Sequence, residues 1–235
     1  MNARWLDLLY PRICGGCGGE VGPEGNGLCW ECRSQVIYVR SPFCHLCGDP
    51  VEGRIDGEFA CYTCCSQPIH FDRARSATRY DGVMRRALCD FKYRAALWLQ
   101  RDLVDFLEAC FHAQYEAEEI DGVAYVPMYH AKRRARGFNQ ARYLARDLAG
   151  RLHKPLLSGI VKRVTPSPTQ TNLTARDRRA NVATAFRAGR LGRLRGRRVL
   201  LVDDVMTTGA TVDAVSRELK KGGVQSVSVL TVARG

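Results

Sequence analysis

The chain has 235 residues, of which 46% are hydrophobic, which is enough for one substantial domain with a packed core and a second, smaller one. The sequence has no run of about 18 apolar residues, and Asp7 and Pro11 interrupt the short apolar pattern at its amino terminus. These features argue against a transmembrane helix and a secretory signal, so we expect a cytoplasmic protein without membrane insertion.

The formal net charge of +12 is unevenly distributed along the chain. Residues 1–70 contain five Lys or Arg and eight Asp or Glu, whereas residues 71–235 contain 31 and 16, giving formal charges of −3 and +15. This step predicts two domains, residues 1–70 and residues 71–235. A domain as basic as the second attracts phosphates, either of a small substrate or of nucleic acid. The alternative is a solvated, arginine-rich surface.

Cysteines dominate the first of these domains. Nine of the 11 cysteines precede residue 66, and eight of them form four C-x2-C pairs. The pairs are Cys14/Cys17, Cys29/Cys32, Cys44/Cys47 and Cys61/Cys64. The first two pairs are separated by 11 residues and the last two by 13, close to the spacing at which two knuckles bind one tetrahedral zinc ion. The sequence therefore predicts a small double zinc ribbon with two structural Zn²⁺ ions.

Other uses of these cysteines fit less well. A disulfide framework is disfavoured because the reducing cytosol opposes disulfides. His45 and Cys65 each neighbour a paired cysteine, but four cysteines already complete each site, so we interpret both as bystanders. Since a module this small buries little core of its own, we expect metal binding to supply much of its folding energy.

Five aromatic side chains lie between or beside the cysteine pairs, and two roles are open for them. They can stack on nucleic-acid bases, or they can pack around the two zinc ions, which is the more frequent use and the one we expect. These residues are Trp30, Tyr38, Phe43, Phe59 and Tyr62.

Strand and helix patterns alternate after residue 70. Apolar periodicity predicts strands at 76–80, 123–127, near 156–161, at 199–202 and at 227–232, with helices at about 83–93, 99–110, 139–152 and 212–221. The segments 130–138 and 203–210 are predicted to be loops that follow strands. This succession predicts an α/β fold in which helices cover a parallel sheet and ligands bind at the carboxyl ends of the strands.

The segment VLLVDDVMTTGAT at 199–211 has the composition of a site for a phosphorylated sugar. Small and hydroxyl residues at the start of a helix can surround a phosphate with backbone N–H groups and hydroxyls. These residues are Thr207, Thr208, Gly209, Ala210 and Thr211. Asp203 and Asp204 stand just before them, where they can accept hydrogen bonds from two ribose hydroxyls.

The same 13 residues resemble the phosphoribosyl pyrophosphate motif of type I phosphoribosyltransferases. Together with the paired zinc ribbons, the whole chain resembles the ComF family of competence proteins, which join a double zinc ribbon to a phosphoribosyltransferase-like domain. Further matches to that family's pattern are FKY at 91–93, VPMYHAKRRARGFNQA at 126–141, QTNL at 170–173, R-x-x-N at 178–181 and AF at 185–186. The resemblance implies that the chain binds phosphoribosyl pyrophosphate with Mg²⁺, with the two aspartates on the 2- and 3-hydroxyls and the loop on the 5-phosphate.

In such a protein, the segment after the strand at 123–127 would face the pyrophosphate. Cationic donors for it are available at Lys132, Arg133, Arg134 and Arg136. Arg136, in the motif RGFNQA, is the strongest single candidate for this contact.

The resemblance leaves two functions open. As a transferase, the protein would release Mg-pyrophosphate and stabilise positive charge at the ribose carbon, with an acceptor and catalytic residues that the sequence does not identify. The alternative is a non-catalytic nucleic-acid-binding or partner-binding protein that keeps the phosphoribosyl site as a ligand sensor. The family's association with natural transformation implies contacts with single-stranded DNA and with DNA-uptake helicase or recombination proteins.

Two arginine-rich segments are candidates for further contacts. Residues 187–198 contain six arginines in 12 positions, which favours contact with the phosphates of single-stranded DNA. The candidate contacts are Arg193, Arg195, Arg197 and Arg198. The alternative is a flexible basic linker before the next strand. Residues 165–182 are polar and contain two prolines, and they form either a mobile cover over the site or a solvated loop.

Overall fold

The computed structural model describes residues 13–21, 27–165, 182, 184–189 and 192–235. Its strands are β1 (Arg73–Arg79), β2 (Gly122–Tyr125), β3 (Val161–Arg163), β4 (Phe186–Ala188), β5 (Arg198–Met206) and β6 (Ser226–Arg234). Four of them form one parallel sheet in the order β1-β6-β5-β2, and β3 pairs with β4 in a separate antiparallel ribbon. The predicted α/β fold with a parallel sheet is therefore confirmed.

Seven α-helices have their bounds within the described residues. They are α1 (Trp30–Ser34), α2 (Tyr62–Cys65), α3 (Gly82–Tyr93), α4 (Gln100–Gln114), α5 (His130–Arg136), α6 (Gln140–Arg151) and α7 (Ala210–Lys221). Throughout the part of the chain that the structure describes, every helix is too short or too polar to cross a membrane.

The two central strands, β5 and β6, are buried on both faces, as their nearly continuous apolar sequences require. Leu200 and Val202 pack in one hydrophobic cluster with helices α3, α4 and α6, whereas Val199 and Leu201 pack in a second cluster with α7. Alternate residues of β5 thus face opposite layers, because successive side chains of a strand point to opposite sides. This three-layer core holds the carboxyl end of β5 in place.

The structure corrects three boundaries that the sequence predicted. Strand β5 continues past 199–202 to Met206, so both aspartates of the motif belong to the strand and not to the loop. Residues 130–136 of the predicted loop 130–138 form helix α5, which ends at Gly137 in the left-handed conformation (φ 86°). The strand expected near 156–161 divides into a single bridge between Leu156 and Val123 and the later strand β3.

The cysteine-rich region packs directly against the sheet. Tyr38 forms an antiparallel bridge with Thr78 of β1. Backbone hydrogen bonds flank this bridge, from Val39 N to the carbonyl of Ala77 (3.1 Å) and from Arg79 N to that of Ile37 (2.7 Å). The contact covers the edge of β1 that does not pair with β6.

Asp102 of α4 anchors the first zinc-binding half of that region. Its buried carboxylate accepts hydrogen bonds from the backbone N–H groups of Gly27 (2.6 Å) and Leu28 (3.0 Å) and from the guanidinium of Arg33 (2.6 Å). Cys32 lies in the same hydrophobic cluster as helices α3 and α4. The zinc-binding region and the sheet domain therefore share a core, and a domain boundary near residue 70 stays a prediction.

Candidate functional site

The eight paired cysteines form two separate clusters. Within each cluster the four Sγ atoms lie within 4.8 Å of one another. The first ribbon contains Cys14, Cys17, Cys29 and Cys32, and the second ribbon contains Cys44, Cys47, Cys61 and Cys64. Sulfurs about 2.3 Å from a tetrahedral zinc ion are about 3.8 Å apart. The Sγ atoms of Cys17 and Cys29 are 3.8 Å apart and those of Cys47 and Cys61 are 3.6 Å apart, so both clusters fit a four-cysteine zinc site.

Backbone N–H groups turn toward the sulfurs of both ribbons. Cys14 Sγ accepts hydrogen bonds from Gly16 N (3.3 Å) and Cys29 N (3.2 Å), and Cys44 Sγ accepts one from Cys61 N (3.3 Å). Burial raises the pKa of Cys14 and Cys44, but N–H donors outweigh it and bring the pKa of each thiol down to about 7. These donors favour the thiolate form that zinc requires.

His45 and Cys65 do not belong to either group of four sulfurs. The Nδ1 atom of His45 lies 2.9 Å from the carbonyl of Phe59, and the Sγ atom of Cys65 lies 3.6 Å from that of Ala60. Of the aromatic residues expected to pack around zinc, Trp30 and Tyr62 are instead 81% and 87% exposed. The expectation of core packing is wrong for these two residues, because each follows a cysteine at the start of a short surface helix, α1 or α2.

Two buried carboxylates lie at the carboxyl end of β5. Asp204 Oδ1 accepts a hydrogen bond from Val205 N (2.7 Å) and forms an ion pair with Lys92 Nζ at 3.1 Å. Asp203 Oδ1 accepts a hydrogen bond from Asp204 N (2.9 Å). Asp204 Oδ2 is buried and has no hydrogen-bond partner among the residues that the structure describes. A buried oxygen without a partner is costly, and this one is available to a ligand hydroxyl or a cation.

Cations from three elements converge on this acid pair. Burial and the neighbouring carboxylate of Asp204 raise the pKa of Asp203 to about 8, against the opposing effects of Lys92 and Arg163. Partial burial lowers the pKa of Lys132, and the charges of Arg136, Arg163 and Lys92 lower it further. These cations come from α3, β3 and α5, so sequence-distant residues share one electrostatic site.

The sequence did not predict a role for Lys92 or Arg163. Lys92 stands in the FKY motif at 91–93, which signals that the position matters but gives no partner for it. Arg163 is in a short strand without a recognisable motif, and only the fold places it where it interacts with Asp203. Long-range convergence of this kind cannot be deduced from spacing along the chain.

Helix α5 presents the cations that were predicted to face a pyrophosphate. None of its residues is buried. Lys132 and Arg136 line a cavity of about 300 Å³ together with Lys92 and Tyr93. Arg136 stacks on the ring of Tyr93 (4.9 Å) and donates a hydrogen bond to Gln140 Oε1 (2.9 Å). Arg133 and Arg134 do not line this cavity.

The segment from Thr207 to Thr211, predicted to bind the 5-phosphate and called the phosphate loop for that reason, leads from β5 into the first turn of α7. Gly209 at the start of α7 has a φ of 76°, a conformation that residues with a Cβ atom rarely adopt. Gly209 has no side chain to cap the helix, and the first N–H group of α7, that of Ala210, donates a long hydrogen bond of 3.5 Å to Thr208 Oγ1. Helix α7 is twelve residues long, and the amino-terminal end of such a helix favours the binding of an anion.

Arg234, at the end of β6, holds the start of this loop. Its guanidinium donates hydrogen bonds to the carbonyls of Met206 (3.2 Å) and Thr207. The same guanidinium forms an ion pair with Asp49 of the second ribbon at 3.0 Å. The phosphate loop therefore connects through one buried arginine to a zinc-binding segment.

The arginines predicted to contact DNA lie at the other end of the sheet. Arg198 begins β5, whose nine residues span roughly 26 Å before the phosphate loop starts. Arg198 forms an ion pair with Asp121 at 3.0 Å, which lowers the pKa of Asp121 to about 2. Arg195 and Arg197 are exposed. The side chain of Arg193 and residues 166–181 of the segment 165–182 lie outside the described residues.

Comparisons with known proteins match both the cysteine-rich region and the sheet domain. A family model for a double zinc ribbon domain matches residues 5–65, and one for a phosphoribosyl transferase domain matches residues 139–235. Competence protein F of Haemophilus influenzae is 33% identical over 94% of this chain and 96% of its own length. The chain belongs to the ComF family. A second relative of this ComF chain, DNA utilization protein YhgH of Escherichia coli K12, is 27% identical over 97% of this chain and 99% of its own.

The two domain matches include the cysteine clusters and the end of β5. The zinc ribbon match includes all eight clustered cysteines, and the phosphoribosyl transferase match includes β5, the acid pair and the phosphate loop. Among solved structures, a purine phosphoribosyltransferase from Pyrococcus horikoshii Ot3 is similar over 59% of this chain and 84% of its own, with 18% identity and a TM-score of 0.38.

Proposed function

We propose that this ComF-family protein binds phosphoribosyl pyrophosphate with Mg²⁺ at the carboxyl end of β5 and acts in the cytoplasm in DNA uptake. The observation that supports this most strongly is the buried Asp204 Oδ2 atom, which lacks a partner among the described residues and stands directly before the phosphate loop. A ribose hydroxyl or a ligand-bound cation would satisfy it.

Different residues of the site bind different parts of phosphoribosyl pyrophosphate. Asp203 and Asp204 accept hydrogen bonds from the 2- and 3-hydroxyls of the ribose. The loop from Thr207 to Thr211 binds the 5-phosphate through N–H groups at the start of α7 and through threonine hydroxyls. Mg²⁺ would neutralise part of the pyrophosphate charge and, where transfer occurs, assist its departure.

The cations around the acid pair bind the pyrophosphate. Lys132 and Arg136 line the same small cavity as Lys92, and Arg163 lies close enough to Asp203 to influence its pKa. The guanidinium of Arg136 can donate hydrogen bonds to two phosphate oxygens at once. Arg134, exposed on the same helix, would contact the pyrophosphate only at its outer side.

Whether phosphoribosyl transfer follows binding depends on an acceptor. In a transferase, these residues would position the ligand and stabilise the charge that develops as pyrophosphate leaves. In the alternative function, the same site senses the ligand and the protein acts by binding nucleic acid or a partner. Assaying pyrophosphate release with bases, nucleosides or DNA present, beside binding by calorimetry, separates turnover from binding without turnover.

The names of the two relatives, a competence protein and a DNA utilization protein, support a role in the use of DNA. We propose single-stranded DNA as a partner, contacted through the exposed Arg195 and Arg197 within the stretch that also contains Arg193 and Arg198. Because Arg198 is already paired with Asp121, it contributes less to a phosphate contact than its neighbours. DNA-uptake helicase and recombination proteins are further proposed partners of the same pathway.

The binding proposal is tested by heating the protein with and without phosphoribosyl pyrophosphate and Mg²⁺. A ligand that binds only the folded state raises the melting temperature. At a ligand concentration of 100 times the Kd, it adds about 2.7 kcal/mol to the free energy of unfolding. No shift at millimolar ligand, in protein that carries its zinc, would contradict the proposal.

A further inference from the structure

Two basic cavities lie on different faces of helix α5. Lys132 and Arg136 line the small cavity that also contains Lys92, whereas His130 and Arg133 line a larger cavity of about 680 Å³, the basic groove. Successive residues of a helix are about 100° apart, so positions 130 and 133 face a different side of α5 from positions 132 and 136. The basic groove is therefore separate from the cavity proposed above to hold the pyrophosphate.

The basic groove lies between α5, the start of α6 and strand β3. All three elements contribute cations to it, namely Arg133, Arg142, Lys162 and Arg163. Among the described residues, no carboxylate side chain lines the groove. The first turn of α6 also lines it and adds the partial positive charge of a helix amino terminus. The groove thus concentrates positive charge without a counter-ion of its own.

Three of the four cations are available to a ligand. Arg133, Arg142 and Lys162 are exposed, and none of them forms an ion pair within the part of the chain that the structure describes. Arg163 is partly buried, with its Nε atom donating a hydrogen bond to the carbonyl of Thr165 at 3.2 Å. An anion in the groove would supply these cations with the negative partner that they lack.

A compact phosphate chain is the ligand that these features favour. Arginine and lysine bind phosphate oxygens through charge-assisted hydrogen bonds. The groove volume lies within the range of about 300–1,000 Å³ that is usual for small-molecule sites. A triphosphate concentrates its charge in one compact group, whereas single-stranded DNA spaces its phosphates along an extended chain. Because the cations of three elements line one cavity and not a stripe along the surface, the groove fits the triphosphate better.

We propose that the basic groove binds a triphosphate chain, that of a nucleotide or of inorganic triphosphate, and that the occupied groove weakens the binding of phosphoribosyl pyrophosphate. Arg163 connects the two sites, because it lines the groove and its charge also acts on Asp203 of the acid pair. A triphosphate attracts this guanidinium and adds negative charge near the pyrophosphate. The antagonism rests on the proposed function, whereas binding of the triphosphate does not.

Arg146 provides a matched control for Arg142. Both are exposed arginines of α6, one helical turn apart, and neither forms an ion pair with another described residue. Only Arg142 lines the basic groove, whereas Arg146 lies over the ring of Tyr143 at 5.1 Å. Replacing either arginine with glutamine removes one surface charge and should leave the fold intact, which the melting temperature checks.

The first experiment titrates inorganic triphosphate, ATP and GTP into the full-length, zinc-loaded protein by calorimetry in Mg²⁺-free buffer. Arg142→Gln and Lys162→Gln should each weaken binding roughly threefold, and together about tenfold, because exposed charge contacts are modest and those of separate elements add. Arg146→Gln should change the affinity by less than about twofold. Equal affinity for the three ligands means that the phosphate chain alone is recognised, and tighter binding of one nucleotide means that its base contributes as well.

Two outcomes of this experiment would overturn the proposal. Equal losses in Arg142→Gln and Arg146→Gln would show that only the net charge of the protein attracts the ligand. A single-stranded oligonucleotide that loses more affinity than triphosphate in the double variant Arg142→Gln, Lys162→Gln would assign the groove to nucleic acid.

The second experiment measures the apparent Kd for phosphoribosyl pyrophosphate at constant free Mg²⁺ and increasing inorganic triphosphate. The Kd should rise about three- to tenfold and then reach a plateau, because the coupling between two separate sites is finite. In the double variant, phosphoribosyl pyrophosphate alone should bind as it does to the parent protein, and about tenfold more triphosphate should be needed for the same effect.

The outcomes separate this inference from the function on which the antagonism rests. A Kd that rises without a plateau, or rises equally in the double variant, would show competition within the phosphoribosyl site and contradict the proposal. A Kd that triphosphate does not change would contradict it too. If phosphoribosyl pyrophosphate does not bind the parent protein at all, the proposed function fails and the antagonism fails with it, whereas the first experiment decides the triphosphate site by itself.

Discussion

Arg234 and Asp49 form an ion pair, with the Nη2 atom of one 3.0 Å from the Oδ1 atom of the other, that joins the phosphate loop to the second zinc ribbon. The arginine is almost completely buried, whereas the aspartate side chain is 45% exposed. Since the same guanidinium also binds the carbonyl of Thr207, a change in the ribbon reaches the loop through one side chain.

We predict that Asp49→Asn weakens binding of phosphoribosyl pyrophosphate two- to fivefold while both zinc ions remain bound. The effect is modest because an ion pair that is partly exposed contributes roughly 0.5–1 kcal/mol. Arg33→Gln is the control, since it breaks a 2.6 Å ion pair between the first ribbon and Asp102 of α4. Equal losses of affinity in the two variants, measured by calorimetry, would show that general destabilisation is the cause.

The affinity for phosphoribosyl pyrophosphate should increase with pH because of Asp203. Burial and the charge of Asp204 raise its pKa to about 8, so the ligand-free carboxyl is largely protonated at pH 7. The deprotonated form accepts hydrogen bonds from ribose hydroxyls best, and binding therefore favours loss of a proton. We expect the affinity to increase by up to about 25-fold from pH 6.5 to 8.5, in proportion to the deprotonated fraction, and then to level off.

Asp203→Asn distinguishes this effect from ionisation of the ligand itself. The asparagine variant should bind more weakly, and its affinity should change less over the same pH range. A slope as steep as that of the parent protein would assign the pH dependence to the ligand's phosphates. The raised pKa also means that the stability of the ligand-free protein decreases as pH rises from about 4 to 8, since the folded state binds the extra proton in that window.

Zinc should stabilise the whole chain and not only the cysteine-rich region. Cys14 and Cys32 lie in the hydrophobic cluster that also contains Leu103 and Leu200, so the first ribbon cannot unfold without exposing part of the sheet's core. We predict two zinc ions per chain by elemental analysis and about one in Cys14→Ser. That variant should unfold at a lower temperature in a single transition followed by circular dichroism. Two separate transitions, with the second unchanged, would contradict the shared core.

Binding of single-stranded DNA should fall steeply with salt, because each phosphate contact releases counterions. Removing one contact should reduce the slope of log affinity against log salt by roughly 0.7. We predict a larger loss for Arg195→Gln or Arg197→Gln than for Arg198→Gln, whose guanidinium is engaged by Asp121. Fluorescence anisotropy over a salt series measures this order. If Lys132→Gln on α5 flattens the slope while Arg195→Gln and Arg197→Gln do not, DNA binds near the acid pair instead.

The sequence predicted those parts of the site whose residues are close together along the chain. The spacing of the cysteines predicted both ribbons, and the run from Val199 to Thr211 predicted a buried strand that leads into a phosphate loop. Helix α5 was interpreted as a loop because none of its residues is buried, so it has no apolar stripe to reveal it.

The remaining parts depend on contacts between distant residues. Lys92 and Asp204 are 112 positions apart and meet only because α3 packs beside the carboxyl end of β5. A cleft beneath Tyr62 exists only because the second ribbon folds over the phosphate loop. Neither periodicity nor spacing along the chain predicts these contacts. Tyr62 is exposed, whereas an aromatic residue near zinc more commonly packs in a core.

Calorimetric titration of phosphoribosyl pyrophosphate with Mg²⁺ into the parent protein, Asp204→Asn and Asp121→Asn tests the central claim most directly. Asp204 forms an ion pair with Lys92 at the carboxyl end of β5, and Asp121 forms one with Arg198 at the opposite end of that strand. Of the two aspartates, only Asp204 has a buried oxygen that lacks a partner among the described residues. Loss of a charged hydrogen-bond acceptor costs about 1.5–3 kcal/mol. We therefore predict binding at least tenfold weaker in Asp204→Asn and unchanged in Asp121→Asn, whereas equal affinity in all three proteins would contradict a ribose phosphate site at the end of β5.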